Sequence, residues 1–155
     1  MNQSEALKSF WRNFCRENPE TRLETPYQIW FFGNSSEMAR ELAALVLAGK
    51  KSATASLVEF NEAHPEESPV ANGYSIVTDF EGRPQCVIQT TEIRAVPFDE
   101  VDARFAFDEG EGDRTLEYWR AVHRRYFTSE AAENGLEFHE KSLICCERFR
   151  LLFAK

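Results

Sequence analysis

The chain has 155 residues, of which 43% are hydrophobic and 13 are phenylalanine, and its formal net charge is −8. Such a length and apolar content suit one folded domain, so we interpret 1–155 as a single domain with 1–25 as an N-terminal helical extension. The negative charge argues against a nonspecific nucleic-acid coat, because coating a polyanion requires a basic surface, but it leaves room for a small basic pocket.

The sequence also predicts a compartment. It contains no run of about 18 apolar residues, so no membrane-spanning helix is expected. The first residues, MNQSEALKSFWRNF, lack the basic start and apolar centre of a secretion signal. The four cysteines form no C-x-x-C pair, which favours reduced thiols over a disulfide or a zinc site. We therefore expect a cytoplasmic protein.

The first half of the chain is predicted to alternate helices with short strands, because apolar residues recur first at helical and then at strand spacing. A cap at Asn34 or Ser35 starts the second helix, and Gly49 ends it. The predicted elements are a helix over 4–17, a strand over 27–32, a helix from the cap to 49, a strand over 52–60 and a polar loop over 61–72.

The second half is predicted to contain most of the sheet. Its elements are strands 74–79 and 85–93 around a turn at 80–84, a short helix over 98–105, an acidic loop over 108–113, a helix over 114–127, a last helical turn over 128–135 and a closing strand over 143–153. Strands and helices do not alternate regularly, which argues against a doubly wound parallel sheet. We predict an α+β fold in which a small mixed or antiparallel sheet curls into a β-barrel flanked by helices.

The boundary between the second helix and its following strand carries the first candidate site. Lys51 and Thr54 follow Gly49 at a spacing of three. A lysine in a partly buried pocket can act as a base or as a cationic clamp, and a nucleophilic threonine needs such a neighbour. A surface lysine at a helix end and an ordinary strand threonine remain the alternatives.

The acidic loop carries the second candidate site. Glu109, Glu111 and Asp113 alternate with glycines, which allow a backbone to approach a ligand closely. Their carboxylates could serve as a general base or hold a divalent cation. The alternative is a solvated loop in which Asp113 caps the next helix.

The helix after this loop offers weaker candidates. His123 lies near its apolar stripe, where a hydrogen-bonded core histidine is the favoured interpretation. Arg120 and Arg124 are one turn apart and could contact phosphate, although such a pair is more often a solvated helix face. The sequence contains no glycine-rich phosphate loop, no G-x-S-x-G and no H-E-x-x-H.

A family resemblance joins these candidates. The run Gly49-Lys50-Lys51-Ser52-Ala53-Thr54 resembles the G-x-K-x-x-T motif of ASCH domains. The similarity extends over most of the chain from about Trp30. It includes the segments 31–33, 96–101, 108–114, 119–120 and 146–149.

The resemblance implies a PUA-like barrel, a fold associated with RNA, with a pocket beside the motif. Some ASCH proteins are ribonucleases on single-stranded RNA, and small bacterial relatives hydrolyse N(4)-acetylcytidine with a lysine, a threonine and a glutamate. Lys51 and Thr54 match the first two positions, and Glu109 or Glu111 matches the glutamate. Family motifs often continue with an arginine two residues after the threonine, where this chain has Ser56.

The sequence thus predicts an RNA- or ribonucleoside-directed hydrolase that cleaves single-stranded RNA. An N(4)-acetylcytidine amidohydrolase and a noncatalytic RNA- or nucleotide-binding module are the alternatives. Its partner would be single-stranded RNA or a modified nucleoside, with no membrane, no assigned metal ligand, and a divalent cation left open as cofactor. The catalytic candidates are Lys51, Thr54, Glu109 and Glu111, and the substrate-binding candidates are Ser56, Arg114 and Arg120.

Overall fold

The computed structural model describes residues 3–154, which form helices around one five-stranded sheet. Its helices are Gln3–Glu17 (α1), Ser36–Leu47 (α2), Val58–Ala63 (α3), Ala103–Glu109 (α4) and Leu116–Glu133 (α5), and 3-10 turns span Pro65–Glu67 and Phe98–Glu100. Its strands are Tyr27–Trp30 (β1), Ala53–Leu57 (β2), Tyr74–Thr78 (β3), Pro84–Pro97 (β4) and Leu143–Ala154 (β5). None of the described helices has the length and apolarity needed to cross a bilayer.

The sheet is mixed, as predicted, with the strand order β1-β3-β4-β5-β2. β1 runs parallel to β3, and the other three pairings are antiparallel. β4 and β5 are the long central strands, paired from Cys86 opposite Ala154 to Pro97 opposite Leu143. Two shifts in register along this pair bend the sheet.

The prediction of a barrel is wrong, because the sheet stays open. β1 and β2 lie at its two edges and have no pairing with each other within residues 3–154. β1 has 4 residues and β2 has 5, and Leu57 passes directly into α3. Closure requires a hydrogen-bonded ladder between the two edge strands, and none joins β1 to β2 in the described part of the chain. The gap between the edges forms the cleft described below.

Helices pack on both faces of the sheet. Ile76 and Val87 contact α1, whereas Val77 and Ile88 lie in the cluster with α2. Because neighbouring strand residues face opposite sides, α1 and α2 cover opposite faces. α4 and α5 pack over β2 and the start of β5 in a third cluster, which includes Ala53, Leu57, Phe105, Trp119, Phe127 and Ile144.

Several element boundaries differ from the predicted ones. The strand predicted over 52–60 ends at Leu57, and the helix predicted over 98–105 is a 3-10 turn followed by α4. α5 starts at Leu116 because Arg114 has a positive φ of 65° and the Thr115 hydroxyl caps the Tyr118 N–H at 3.1 Å. The predicted last turn over 128–135 is a continuation of α5 as far as Glu133.

All four cysteines are free. Cys86, Cys145 and Cys146 are buried, and Cys15 is half-buried. Burial raises the pKa of the Cys86 and Cys146 thiols to about 12. These thiols are therefore protonated and unreactive near neutral pH.

Candidate functional site

The backbone around Gly49 directs the Lys51 side chain into the protein. Gly49 has a φ of 77°, and the N–H groups of Lys50 and Lys51 both bond to the Leu45 carbonyl, at 2.9 and 3.1 Å. This left-handed end is the helix stop that the sequence predicts. The Ser52 N–H then donates to the Asp108 carbonyl at 2.8 Å, which ties the turn to α4.

The Lys51 ammonium is buried between two carboxylates. Its side chain is 1% exposed, and Nζ lies 2.7 Å from Glu109 Oε1 and 2.8 Å from Glu111 Oε2. Nζ also donates to the Glu109 carbonyl at 3.3 Å. An ammonium has three N–H donors, so all of them are used. The alternative of a solvated lysine at a helix end is therefore wrong.

Two side chains of α5 bind the other oxygen of Glu109. Trp119 Nε1 donates to Glu109 Oε2 at 2.6 Å, and His123 Nε2 lies 3.3 Å from the same atom. The His123 ring stacks on Trp119 with centroids 4.2 Å apart, and its Nδ1 lies 2.8 Å from the Trp119 carbonyl. His123 is thus a hydrogen-bonded core histidine, as the sequence favoured, and it is also part of the acidic cluster.

The charges of the cluster separate the pKa values of its two carboxyl groups. Burial opposes ionisation of Glu109, but Lys51 and His123 outweigh it and lower the Glu109 pKa. Burial and the charge of Glu109 together raise the pKa of Glu111, against the pull of Lys51. Burial also opposes the Lys51 charge, yet the two glutamates raise the Lys51 pKa. Lys51 and Glu109 therefore form a fixed ion pair, and Glu111 is the carboxyl group suited to exchange a proton.

His123 provides a pH test of the cluster. Burial disfavours its charged form, but Glu109 outweighs burial and raises the His123 pKa above 6.5. A raised folded-state pKa gives stability that is fully present below the unfolded-state pKa and lost as pH rises through the folded-state pKa. We expect the free energy of unfolding of wild type to exceed that of His123→Gln most below pH 6.5, with the difference shrinking at higher pH.

Urea unfolding at a series of pH values measures this difference. His139→Gln is the matched control, because the His139 side chain is 63% exposed. A His123→Gln difference that stays constant with pH, or grows as pH rises, contradicts the contact between His123 and Glu109.

Gly110 allows Glu109 and Glu111 to converge on Lys51. It has a φ of 75°, and a Cβ at this position would overlap the backbone oxygen of Lys50. We expect Gly110→Ala to lower the free energy of unfolding by about 2–3 kcal/mol, through left-handed strain and overpacking. Gly49→Ala is the control, because Gly49 has a φ of 77° but open space around it. This variant should have the left-handed strain alone and lose only about 1 kcal/mol of unfolding free energy. Equal losses in urea unfolding would contradict the close approach at Gly110.

A cleft of about 840 Å³ occupies the gap between β1 and β2. Both edge strands line it, with contributions from α3, α5, Thr78 of β3 and Glu147 of β5. Its aromatic residues are Tyr27, Trp30, Phe31, Phe32, Phe60, Phe80 and Tyr126, and its acidic residues are Glu66, Glu67, Glu81, Glu130 and Glu147. None of the described lining residues is a lysine, an arginine or a histidine.

Thr54 and Ser56 line this cleft, whereas Ala53 and Leu57 face the core. Ser56 Oγ accepts a hydrogen bond from Asn61 Nδ2 at 2.9 Å. The Thr54 hydroxyl has no hydrogen bond to any residue in 3–154, so it is free for a ligand. Lys51 Nζ lies 5.3 Å from the ring centroid of Phe32, another lining residue, which places the charged cluster behind the wall of the cleft.

Arg114 and Arg120, the other predicted substrate-binding residues, lie outside the cleft lining. Arg114 Nε donates to the Phe107 carbonyl at 3.0 Å, and its guanidinium stacks on the Phe107 ring. Arg120 donates to the carbonyls of Asp99 and Val101 at 3.0 and 3.2 Å. Both guanidinium groups are bonded to the protein's own backbone, so the structure does not bring them together with Thr54.

Glu147 is a cleft residue that the sequence reasoning missed. It lies opposite Thr54 in the pairing of β2 with β5, is 7% exposed, and accepts a hydrogen bond from the Thr90 hydroxyl at 2.6 Å. Burial raises its pKa, although Thr90 and Lys51 act in the opposite direction. The sequence contained one signal for it. Glu147 is a charged residue that shares a strand face with the apolar residues Cys145 and Phe149.

In the described part of the chain, Glu109, Glu111 and His123 bring possible metal-ligand atoms close together. One ligand atom from each lies within 4.8 Å of the others. The Lys51 ammonium, however, binds both carboxylates directly. A divalent cation would have to displace this charge, so the donor set fits an internal ammonium better than a metal.

Comparison with known proteins gives a consistent family assignment. A family model described as the ASCH domain matches residues 28–152. The crystal structure of an ASCH domain from Lactobacillus crispatus is 30% identical, with a TM-score of 0.82 over 97% of this chain and 94% of that chain. Protein EF3133 from Enterococcus faecalis is 34% identical, with a TM-score of 0.86 over 97% of this chain and 90% of that chain.

A third solved structure, hypothetical protein PH0355, shares the fold alone. It is 18% identical, with a TM-score of 0.52 over 80% of this chain and 99% of that chain. A search of curated proteins gives no match.

Proposed function

The chain belongs to the ASCH domain family, whose members are generally RNA-binding or hydrolase-like modules, and from this we propose that it hydrolyses a modified ribonucleoside of the N(4)-acetylcytidine type. The observation that carries the proposal is the buried Lys51–Glu109–Glu111 cluster behind a cleft that presents a free Thr54 hydroxyl. Burying three charges costs desolvation free energy, and such clusters of perturbed pKa values are typical of functional sites.

The charge of the cleft favours an uncharged substrate over an RNA strand. Its lining contains five glutamates and no basic side chain among the described residues. Proteins that bind nucleic acid gain affinity by placing lysine or arginine against the phosphates, and here the nearest candidates are bonded elsewhere. Cleavage of single-stranded RNA stays a prediction from the sequence, whereas the geometry supports the nucleoside alternative better.

In this proposal Lys51 acts as a fixed positive charge and not as a base. All three of its N–H donors are occupied, and the paired glutamates raise its pKa. Glu109 holds the ammonium in place, and Trp119 and His123 hold Glu109. A positioned cation near the reacting carbonyl stabilises the negative charge that develops on its oxygen.

Thr54 and Glu111 carry the covalent chemistry. The Thr54 hydroxyl oxygen bonds to the acetyl carbon, and its proton passes through one water molecule to the Glu111 carboxylate behind the cleft wall. The bond from that carbon to N4 then breaks, and N4 takes the proton from Glu111. Water next adds to the acetyl-threonine ester, which releases acetate and restores the Thr54 hydroxyl.

The experiment is to incubate the full chain with N(4)-acetylcytidine and, separately, with an unstructured single-stranded oligoribonucleotide. We expect chromatography to show cytidine and acetate from the nucleoside, at a rate that added salt leaves unchanged, and intact RNA. RNA cleavage without nucleoside hydrolysis would contradict the proposal. Nucleoside binding without hydrolysis would favour the noncatalytic binding module instead.

A further inference from the structure

Glu147 is a buried carboxyl group with one oxygen available to a ligand. It lies on the central strand β5, is 7% exposed, and lines the cleft. Its Oε2 accepts the Thr90 hydroxyl hydrogen at 2.6 Å. Oε1 has no hydrogen-bond partner among residues 3–154. Oε1 is not among the buried polar atoms that lack a partner, so it is open to the cleft and can accept a hydrogen bond from a ligand N–H there.

The rest of the cleft restricts what such a ligand can be. Trp30, Phe32, Phe60 and Tyr126 contribute rings from β1, the segment after it, α3 and α5. Aromatic walls favour a flat ring, which can stack on them or meet their edges. Because the described lining has carboxylates but no basic side chain, it suits a ring with N–H donors and no phosphate.

We propose that Glu147 determines ligand specificity by accepting a hydrogen bond from the exocyclic N–H of a flat heterocycle, such as N4–H of a cytosine ring. This inference rests on the proposed function, because it uses the same cleft. Beyond that function, it identifies Glu147 as the residue that selects a base with an amino group over a base with a carbonyl oxygen at the same ring position.

The register of the sheet supports this assignment. Thr54 is directly opposite Glu147 in the antiparallel pair of β2 and β5, and both side chains line the cleft. Side chains of directly opposed residues have Cβ atoms about 4.5–5.5 Å apart. A ring whose N4–H binds Glu147 therefore carries any acyl group on N4 next to the Thr54 hydroxyl. The same contact that selects the base also positions the reacting carbonyl carbon, which is bonded to N4.

The test compares the binding of cytidine and uridine by the full chain with isothermal titration calorimetry. A hydrogen bond to a charged acceptor is worth about tenfold or more in affinity, so wild type should bind cytidine at least about tenfold more tightly than uridine. In Glu147→Gln the side chain can donate to the uridine carbonyl, so this ratio should fall below about threefold or invert. Glu117→Gln, an exposed site on α5 with the same charge change, should keep the wild-type ratio.

The outcomes separate this inference from the proposed function. An unchanged ratio in Glu147→Gln, or equal binding of the two nucleosides by wild type, overturns the inference even if N(4)-acetylcytidine is hydrolysed. A cytidine preference that depends on Glu147, without hydrolysis, supports the inference and refutes the hydrolase.

A second measurement needs no variant and so holds if Glu147→Gln fails to fold. N(4),N(4)-dimethylcytidine lacks the N4–H donor, and wild type should bind it at least about tenfold more weakly than cytidine. Equal affinity for the two nucleosides overturns the inference.

Discussion

A Lys51→Met variant is expected to lose about 3–5 kcal/mol of unfolding free energy, because removing one partner leaves a buried charge uncompensated. The Glu109 side chain is 1% exposed and would lose the ammonium while keeping the Trp119 indole and the His123 imidazole as partners. Methionine preserves the unbranched apolar stem of lysine, so most of this loss comes from the missing charge and not from a cavity.

The adjacent Lys50 provides the control. Lys50 is exposed, so Lys50→Met should change the free energy of unfolding by no more than about 0.5 kcal/mol. Adding Glu109→Gln to Lys51→Met should restore part of the stability, because the unpaired carboxylate is then gone. Urea unfolding at neutral pH measures all three variants. If Lys51→Met and Lys50→Met are equally stable, the buried ion pair does not exist in solution.

Thr54→Val is expected to lower kcat for N(4)-acetylcytidine by about a thousandfold or more, because the variant lacks the nucleophile of the covalent mechanism. Valine has nearly the shape of threonine without the hydroxyl. The Thr54 hydroxyl makes no hydrogen bond within residues 3–154, so its loss leaves no buried partner unsatisfied and the fold should be unaffected.

Thr91→Val is the matched control for this loss. Thr91 is an exposed residue of β4 outside the cleft lining, and its variant should keep wild-type turnover. Thermal unfolding of both variants shows whether each retains the wild-type structure. A folded Thr54→Val variant that turns over the nucleoside at the wild-type rate would rule out Thr54 as the nucleophile.

Local signals predicted much of the secondary structure. Ser35 caps α2 by accepting the Met38 N–H at 3.1 Å, and Gly49 ends that helix in a left-handed conformation, as the residue types indicate. Leu57 shows the limit of this reasoning. The apolar pattern continues through Leu57, so the strand was predicted to extend to residue 60, but the chain turns into α3 at Val58. Side-chain pattern alone does not distinguish the end of a short strand from the first turn of a helix.

The open sheet could not be predicted from the strand patterns. Period-2 alternation identifies strands but does not say which edges meet, and the pairing of β1 with β3 joins residues far apart in the chain. The barrel was predicted from the order of strands and helices and again from the family resemblance. The short β1 and β2, and the helix that follows β2 directly, leave the edges apart.

The candidate site was predictable only where residues are close in sequence or belong to the motif. The motif identified Lys51 and the acidic loop identified Glu109 and Glu111 as candidates, and the structure brings these three residues together. The role of His123 in holding Glu109 depends on how α5 packs against α4, which spacing does not reveal. Glu147 reaches the cleft through the pairing of β5 with β2, so its position beside Thr54 depends on tertiary structure.

A crystal structure of Thr54→Val with bound N(4)-acetylcytidine would show directly whether the cleft holds the substrate as proposed. We expect an intact nucleoside in the cleft, with N4–H bonded to Glu147 and the acetyl carbon about 3–3.5 Å from the valine side chain, in position for attack. A nucleoside bound outside the cleft, or one whose acetyl group points away from residue 54, would contradict the proposal.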